Sequence, residues 1–205
     1  MSERVVLFDF DGTLTRHDTL IPFLYHLSGP WRFAWCMLWS LPVLGAYALG
    51  WMRNDVAKQR MLGHFLAGRQ LAELEQAGQD FAAQALDGML RPQGMAKLHE
   101  HLAAGDCCVL VSASLDVWLQ PWAQRHGVQA LISSRLETDP AGRVNGRLWQ
   151  GNCHGEDKVR RVQAWLQGRD AVITHAYSDS RVDLPMLALA RQGYLWRGKG
   201  FVLVQ

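Results

Sequence analysis

The feature that most constrains the fold is an alternation of short apolar runs with helical segments along the second half of the chain. Short runs without polar alternation predict strands that are buried on both faces. Strands that alternate with helices favour a mostly parallel sheet with helices on both sides. We therefore predict an α/β fold with a Rossmann-like, doubly wound and mostly parallel sheet. The predicted strands are 5–10, 107–111, 130–133, 171–177, 193–196 and 201–204.

Helical spacing and turn signals predict the elements between these strands. Helices are predicted over 56–66, 71–90, 95–104, 117–126, 156–166 and 183–191. Pro121 falls within the fourth helix, and because proline lacks an amide proton, we expect it in the first turn. Two turn signals, in 139–142 and at Asn145-Gly146, predict a β-hairpin within 135–149.

Composition excludes several classes of protein. The chain has 205 residues, of which 49% are hydrophobic and 20% charged, and its formal net charge is +2. It is too apolar for a disordered chain and too nearly neutral for a dedicated nucleic-acid binder.

Four cysteines are too few for a disulfide scaffold of this size, so we expect reduced thiols. We also expect no secretory signal, because a very short apolar run precedes Asp9. These features predict a cytoplasmic protein with no nucleic-acid partner.

Two carboxylates stand directly after the first predicted strand, in the sequence Asp9-Phe10-Asp11-Gly12-Thr13. In extended backbone Asp9 and Asp11 share one side, while Phe10 points into the core. Because two carboxylates this close repel each other, we expect a divalent cation between them. Taken alone, the segment is also compatible with a simple Asp-Gly turn.

Two further clusters carry a hydroxyl and a cation. Ser112-Ala113-Ser114 follows the second predicted strand, where a hydroxyl and the amides of the next helix can bind phosphate, or where serine can cap that helix. Lys158 lies near the start of a predicted helix, where the helix dipole disfavours a cation unless an anion lies nearby. An exposed lysine is the alternative interpretation.

The fourth cluster lies where the strand 171–177 gives way to a helix. It contains Asp179, Ser180 and Asp183, and the two carboxylates are four residues apart. Asp179 alone would also suit a helix cap. Together, however, the four clusters supply four carboxylates, a hydroxyl and a lysine at strand ends. Phosphoryl transfer through an aspartyl intermediate needs this set of groups, with Mg²⁺ to offset the negative charge.

The four clusters, in this order, resemble the four motifs of the haloacid dehalogenase superfamily. The resemblance covers 5–196, and the segment 18–94 is similar to the helical cap of the phosphoserine-phosphatase-like branch (subfamily IB). It implies a catalytic core formed by 1–17 and 95–205, with an all-helical cap inserted between them. The fourth motif is similar to a subgroup that contains phosphatidylglycerophosphatase C and several soluble phosphatases.

The resemblance implies a role for each charged motif residue and a bound Mg²⁺. Asp9 would be the nucleophile and a Mg²⁺ ligand. Asp11 would be the general acid and base, with its carbonyl on the metal. Asp179 would be another Mg²⁺ ligand, and Asp183 would support the metal's water or Lys158. Lys158 would stabilise the charge on the phosphoryl group and on Asp9.

The other motif residues are implied to hold the phosphoryl group or the surrounding loops. Thr13, Ser112 and Ala113 would bind or orient the phosphoryl group. Gly12 and Ser180 would support the motifs. The implied activity is Mg²⁺-dependent hydrolysis of a phosphomonoester.

One departure from the family pattern bears on the substrate. Ser178, Ser180 and Val182 stand where phosphoserine phosphatases have glycine, glycine and asparagine. The missing asparagine removes a polar contact near the phosphate, which argues against phosphoserine without affecting the chemistry. His17 and Asp18 follow the first motif closely enough to touch a substrate.

The stretch 33–52 has no charged residue and is flanked by an arginine on each side. Four of the nine tryptophans lie in or beside it. As one helix it would match the thickness of a bilayer, but a single crossing would separate the first motif from the other three. Pro42 and Gly45 instead predict a helical hairpin that enters the membrane and returns.

Two uses of 33–52 remain open from the sequence. Peripheral or re-entrant membrane contact would favour a lipid phosphate, such as phosphatidylglycerophosphate, at the cytoplasmic face of the inner membrane. Burial in the cap core or in a homodimer would favour a small amino-alcohol phosphate, such as phosphoserine or histidinol phosphate. A further alternative is a non-catalytic, membrane-associated binding protein on this fold. The presence of a catalytically competent residue at every motif position argues against it.

Overall fold

A computed structural model describes residues 2–205 and has one seven-stranded sheet in the order β4-β3-β2-β1-β5-β6-β7. The strands are β1 (Glu3–Phe8), β2 (Cys107–Leu115), β3 (Ala130–Thr138), β4 (Val144–Trp149), β5 (Ala171–Ser178), β6 (Gln192–Trp196) and β7 (Phe201–Leu203). Strands β1, β2, β3, β5 and β6 pair in parallel, and β4 and β7 add antiparallel edges. The predicted α/β fold with a mostly parallel sheet is confirmed.

Within the described residues, seven α-helices connect these strands or pack on the sheet. They are α1 (Leu20–Ala48), α2 (Asn54–Leu66), α3 (Leu71–Gln84), α4 (Pro92–Ala103), α5 (Asp116–Arg125), α6 (Glu156–Leu166) and α7 (Leu184–Leu187). Short 3₁₀ turns at Leu86–Met89 and Arg181–Asp183 take the place of the last part of the predicted helix 71–90 and the start of 183–191. The segment between β1 and α4 is therefore built from helices.

The two faces of the sheet carry separate apolar cores. Val6 and Phe8 of β1 pack with α4, α5 and the helices α1 to α3, whereas Val5 and Leu7 pack with α6 and α7. Alternate residues of a strand point to opposite faces. A strand covered on both sides therefore needs apolar residues at every position, which explains the unbroken apolar run at the start of the chain.

The connection order changes direction at β1. This strand pairs in parallel with both β2 and β5, and the chain builds outward from it to each side. In such sheets the crevice beyond the carboxyl end of the strand at the switch point is where ligands bind. The topology therefore directs attention to the residues that follow β1, β2 and β5.

Pro121 does not lie in the first turn, contrary to the prediction, but is the sixth residue of α5. A proline at this position cannot donate to the carbonyl of Val117, four residues earlier. The backbone of Gly78 in α3 packs against that same carbonyl, since a Cβ added to Gly78 would lie 2.0 Å from the Val117 oxygen. The helix interface thus covers the carbonyl that the proline leaves free, with a weak Cα–H donor in place of an amide.

Two other turn predictions are wrong. Helix α1 runs through Pro42 and Gly45 and is interrupted at Gly29 instead, where φ is 68°. Pro42 is exposed, so water can bond to the carbonyl that it leaves free. Asn145-Gly146 lies inside β4, where the glycine allows β4 to approach the backbone of α2 closely. Because α1 continues through Pro42 and Gly45, the re-entrant helical hairpin predicted for 33–52 has no turn at its centre.

No helix within residues 2–205 combines the length and the apolar character needed to cross a bilayer.

Replacing Gly78 with alanine should destabilise the protein by about 1–3 kcal/mol, because the added methyl group overlaps the Val117 carbonyl. Gly63→Ala in α2 is the matched control. A Cβ there has no neighbour within 4 Å, so the better helix propensity of alanine should add about 0.5–1 kcal/mol. Urea unfolding of both variants measures the two effects. Equal stabilisation of both would contradict the close approach of α3 and α5.

Candidate active site

The four sequence motifs meet at the carboxyl edge of the sheet, around a cavity of about 160 Å³. The cavity is lined by Asp9, Asp11, Asp18, Leu20, Lys58, Ser112, Ala113, Ser114, His154, Lys158, Asp179, Ser180 and Asp183. All four predicted carboxylates, the predicted hydroxyl and the predicted lysine are in this set. Residues separated by more than 170 positions in the chain are neighbours here because β1, β2 and β5 are adjacent strands.

Lys158 holds two of the carboxylates. Its Nζ lies 2.6 Å from Oδ1 of Asp9 and 2.7 Å from Oδ2 of Asp183. All three side chains are buried, and the same Asp183 oxygen also accepts a hydrogen bond from Ser178 at 2.7 Å. Lys158 lies in the first turn of α6, so the dipole penalty noted from the sequence is offset by two directly bonded anions.

Burial and charge change the proton affinities of this group. Burial raises the pKa of the Asp9 carboxyl to about 7, while the Lys158 ammonium acts in the opposite direction. Burial alone would lower the pKa of Lys158, but the Asp9 and Asp183 carboxylates raise it above its usual value. Lys158 is therefore a permanent cation in the site. A second cation beside Asp9 would further favour its ionised, nucleophilic form.

Asp11 is held by residues from two other segments. One carboxylate oxygen accepts hydrogen bonds from the amide and hydroxyl of Thr19, at 2.8 and 2.7 Å, and the other accepts one from Ser114 at 2.5 Å. The Thr19 hydroxyl in turn accepts the indole N–H of Trp118. Burial, with the nearby Asp18 charge, raises the pKa of Asp11 to about 6. This carboxyl can therefore exchange a proton near neutral pH.

The first-motif loop fits tightly around a second carboxylate. The Thr13 hydroxyl donates to Oδ2 of Asp9 at 3.0 Å. Gly12 has a φ of +74°, and a Cβ on it would lie 2.0 Å from Oδ2 of Asp179. Only glycine leaves room for this approach and accepts the left-handed backbone. The Asp179 carboxylate consequently lies against the loop that carries Asp9 and Asp11.

This arrangement suits a Mg²⁺ ion. Mg²⁺ prefers oxygen ligands, usually takes only one or two carboxylates and keeps several waters. Asp9 and Asp179 supply two carboxylates, and the Asp11 carbonyl can supply a third oxygen. Within the described part of the chain no cluster of three His, Cys, Asp or Glu side chains is arranged as a metal site. An ion here would therefore depend on these two side chains, backbone and water.

The serine motifs have more local contacts. The Ser112 hydroxyl is buried and accepts the amide of Ser114 at 3.0 Å. The Ala113 carbonyl accepts a hydrogen bond from Lys58. The Ser180 hydroxyl accepts the amide of Val182 and so caps the short 3₁₀ turn after β5. Ser112, Ala113 and Ser180 all line the cavity, as predicted, and Ser180 also caps the 3₁₀ turn.

Lys58 is the main site residue that the sequence did not identify. It reaches from α2 to the Ala113 carbonyl at 2.6 Å and to Asn152 at 3.1 Å. Burial lowers its pKa, while Asp18 and Asp11 oppose this effect. From the sequence alone, nothing distinguishes Lys58 from any exposed lysine on a helix. Ser114, in contrast, could have been found, since it is two residues after Ser112 in extended backbone and shares its side.

Lys58 also borders a second cavity of about 370 Å³ that adjoins the first. The two cavities share Asp18, Leu20, Lys58, Ala113 and His154. The outer cavity has mainly apolar walls from α1 and α2, formed by Leu20, Ile21, Leu44, Tyr47, Ala57 and Met61. The carboxylate centre therefore opens into a cleft that the inserted helices shape.

Buried carboxylates paired with a lysine at the switch point of a parallel sheet, beneath inserted helices, define an α/β enzyme with a carboxylate-centred active site. The chain matches the family of haloacid dehalogenase-like hydrolases over residues 6–188 and belongs to that family. The family predicted from the motifs is thus confirmed.

The chain is also similar to individual proteins. Protein CicA of Caulobacter vibrioides is 36% identical over 197 residues, which cover 95% of this chain and 87% of that protein. A histidinol-phosphatase of Neisseria meningitidis serogroup C is 28% identical over 132 residues, covering 62% and 60% of the two chains. The crystal structure of a protein of unknown function from Bordetella pertussis has a TM-score of 0.81 at 30% identity, covering 94% and 89%. The family and the phosphatase among these relatives support the prediction of a phosphatase.

Replacing Lys158 with methionine should destabilise the protein by about 3–5 kcal/mol near neutral pH, because Asp9 and Asp183 are left buried without a cation. Loss of the opposing ammonium raises the pKa of the buried Asp9 carboxyl further in the folded variant, so the folded variant binds a proton that the unfolded chain releases. The deficit should therefore shrink as the pH is lowered from about 8 to about 5.

Urea unfolding at both pH values, without added metal, measures this deficit. Lys97→Met is the control, since the Lys97–Glu100 pair is exposed and should contribute less than about 1 kcal/mol. A deficit for Lys158→Met that matched the control, or that grew on acidification, would contradict the buried pair.

Proposed function

We propose that this protein is a Mg²⁺-dependent phosphomonoester hydrolase that acts through a phosphoaspartate on Asp9. The observation that carries the proposal is the placement of Asp9, which lies at the end of β1 between the Lys158 ammonium and the Thr13 hydroxyl. A carboxylate held in this way, with a cation beside it, can approach a phosphate dianion without prohibitive repulsion. The family supports hydrolysis as the reaction class.

The reaction has two steps. First, a carboxylate oxygen of Asp9 attacks phosphorus, the bond to the leaving-group oxygen breaks, and Asp11 donates a proton to that oxygen. In the second step a water molecule attacks phosphorus and gives its proton to Asp11, and the bond from phosphorus to Asp9 breaks to release phosphate. A pKa near 6 suits Asp11 to both duties.

The remaining residues stabilise charge and orient the phosphoryl group. Lys158 neutralises charge on Asp9 and on the phosphoryl oxygens, and Asp183 fixes the ammonium in place. Ser112 and the amide of Ala113 bind the phosphoryl oxygens. Bound Mg²⁺, held by Asp9, the Asp11 carbonyl and Asp179, would supply further positive charge against the phosphate.

We further propose that 1–17 and 95–205 form the catalytic core and that 18–94 forms a cap. The helices α1 and α2 from this cap wall the outer cavity and bring Lys58 to its boundary with the catalytic centre. The leaving group would therefore lie beneath the cap, and cap residues would select it. The location of the enzyme in the cytoplasm stays a prediction from the sequence.

A small amino-alcohol phosphate is the first substrate candidate. Asp18 provides an anion at the junction of the two cavities, where a substrate ammonium could bind, and Lys58 provides a cation for a second acidic group. Phosphoserine carries both groups, and histidinol phosphate carries the ammonium. The relative named histidinol-phosphatase supports this class.

A lipid phosphate such as phosphatidylglycerophosphate is the second candidate. The apolar walls of the outer cavity favour it, since Leu20, Ile21 and Leu44 offer no hydrogen bond to a small polar group. Lys58 would then pair with the phosphodiester of the lipid headgroup. The resemblance of the fourth motif to that of phosphatidylglycerophosphatase C points in the same direction.

Asp9→Asn should abolish the release of phosphate from an aryl phosphate while the protein stays folded, because an amide cannot act as the nucleophile. Asp80→Asn on α3 is the matched control and should retain activity, since Asp80 is bonded to Gln76 at an exposed position. A chelator should remove the wild-type activity, and Mg²⁺ should restore it. Unchanged turnover by Asp9→Asn would refute the mechanism. Absence of turnover on every phosphomonoester with Mg²⁺ present would favour a non-catalytic binding protein.

Asp18→Asn should separate the two substrate candidates. Asparagine keeps the side-chain oxygen that accepts the Leu20 amide but removes the negative charge, so KM for an amino-alcohol phosphate should rise about tenfold. KM for phosphatidylglycerophosphate in detergent should stay the same or fall. Steady-state kinetics on phosphoserine, histidinol phosphate and phosphatidylglycerophosphate measure this, with Asp80→Asn as the control. An unchanged KM for both amino-alcohol phosphates would exclude Asp18 as their binding residue.

A further inference from the structure

The part of α1 that follows Gly29 has apolar side chains on its solvent face as well as on its core face. Phe33 and Cys36 pack on the main core, and Val43 is buried. Other apolar side chains of this helix face solvent at spacings of three and four residues: Trp31, Trp35, Leu38, Trp39 and Leu41. Leu49 and Trp51 continue the exposed surface just past the helix end. We call these seven residues the tryptophan face.

The tryptophan face is unusually large for a monomer. Trp31, Trp35, Trp39 and Trp51 have exposed fractions of 89%, 61%, 60% and 81%. The four indoles alone leave on the order of 500 Å² in solvent. The three leucines enlarge the patch, whereas the largest apolar patch on an ordinary monomer is about 300–600 Å². A surface of this size needs an apolar environment.

The charges around the tryptophan face are all positive on its own segment. No acidic residue occurs between Asp18 and Asp55, Arg32 lies at one end of the face, and Arg53, which is paired with Asp55, lies at the other. Arg32 forms no ion pair within residues 2–205. Its charge is close enough to Arg69 to add to the effect of burial in lowering the pKa of that guanidinium. Arg32 and Arg69 are thus neighbouring cations beside an apolar surface, and such a pair is suited to an anionic partner.

We propose that the tryptophan face binds the surface of an anionic phospholipid bilayer, with α1 lying in the interface and Arg32 among the headgroups. This inference goes beyond the proposed reaction and does not depend on it. Indole rings favour the headgroup boundary because they combine an apolar body with one N–H donor. A helix with this composition lies along the surface and does not need to cross it.

A second copy of the chain fits the tryptophan face less well. Stable protein interfaces combine an apolar centre with a polar rim and about one hydrogen bond per 100–200 Å². The side chains of the tryptophan face offer indole N–H donors but no acceptor, and Trp35 and Trp39 already pack edge-to-face on each other at 6.0 Å. Hydrocarbon and headgroups impose no such matching of partners, and anionic headgroups supply the missing acceptors.

The location of the tryptophan face also connects it to the active site. Leu44 and Tyr47 of the same helix line the outer cavity, on the side away from that face. One helix therefore separates the proposed membrane surface from the cleft. A bilayer-bound enzyme would hold its cleft within about one helix diameter, roughly 10 Å, of the headgroups.

Co-sedimentation with vesicles tests the proposal. The wild-type chain should sediment with vesicles of equal parts phosphatidylglycerol and phosphatidylcholine, and less with phosphatidylcholine alone. The triple variant Trp35→Ser, Leu38→Ser, Trp39→Ser should bind at least about tenfold more weakly. Arg32→Gln should weaken binding to the anionic vesicles about fivefold.

Two controls keep these results specific. Trp149→Ser on β4 removes a tryptophan with an exposed fraction of 47% outside the tryptophan face and should bind vesicles like the wild type. Circular dichroism and thermal unfolding establish that the triple variant is folded, as expected for a change confined to solvent-facing side chains. Asp9→Asn should also bind like the wild type, which separates this test from that of the reaction.

Two outcomes would overturn the proposal. The first is a wild-type chain that binds neither kind of vesicle. The second is a dimer, measured by analytical ultracentrifugation, that the triple variant dissociates while vesicle binding is absent. The second outcome would assign the tryptophan face to another copy of the chain.

Discussion

The active site depends on one buried cation that two carboxylates share. Lys158 joins the end of β1, the start of α6 and the turn after β5 through its bonds to Asp9 and Asp183. Burying three charges is costly unless each is paired and hydrogen-bonded, and here Ser178 and Thr13 supply the additional bonds. The same contacts that make burial tolerable also fix the position of Asp9, the proposed nucleophile.

The parallel sheet makes this pairing attainable. Because β1 lies between β2 and β5, the loops from three distant parts of the chain end at one edge. The segments 5–8 of β1 and 107–111 of β2 are apolar and buried on both faces, so the polar residues of the site collect beyond them, toward the carboxyl ends. The chemistry of the site is therefore a consequence of where the buried strands end.

The inserted helices complete the site from the other side. Thr19, at the start of α1, bonds to Asp11, and Lys58 of α2 bonds to the carbonyl of Ala113. The inward side of α1 shapes the cleft, and its outward side forms the tryptophan face. Under the proposed function, catalysis would be a property of the core, whereas the cap helices would provide both the selection of the leaving group and the proposed membrane contact.

The sequence by itself determined the sheet, the order of its motifs and the family, because strand ends and motif spacing are local signals. It did not determine which prolines break helices. Pro121 is accommodated because Gly78 packs on the carbonyl that it leaves free, and Pro42 because it faces solvent. Nor did it reveal Lys58, whose partners Ala113 and Asn152 are distant in the chain, or Thr19, which bonds to Asp11 but also accepts from the distant Trp118. Tertiary structure alone decided these points, since each depends on a neighbour that only folding brings into contact.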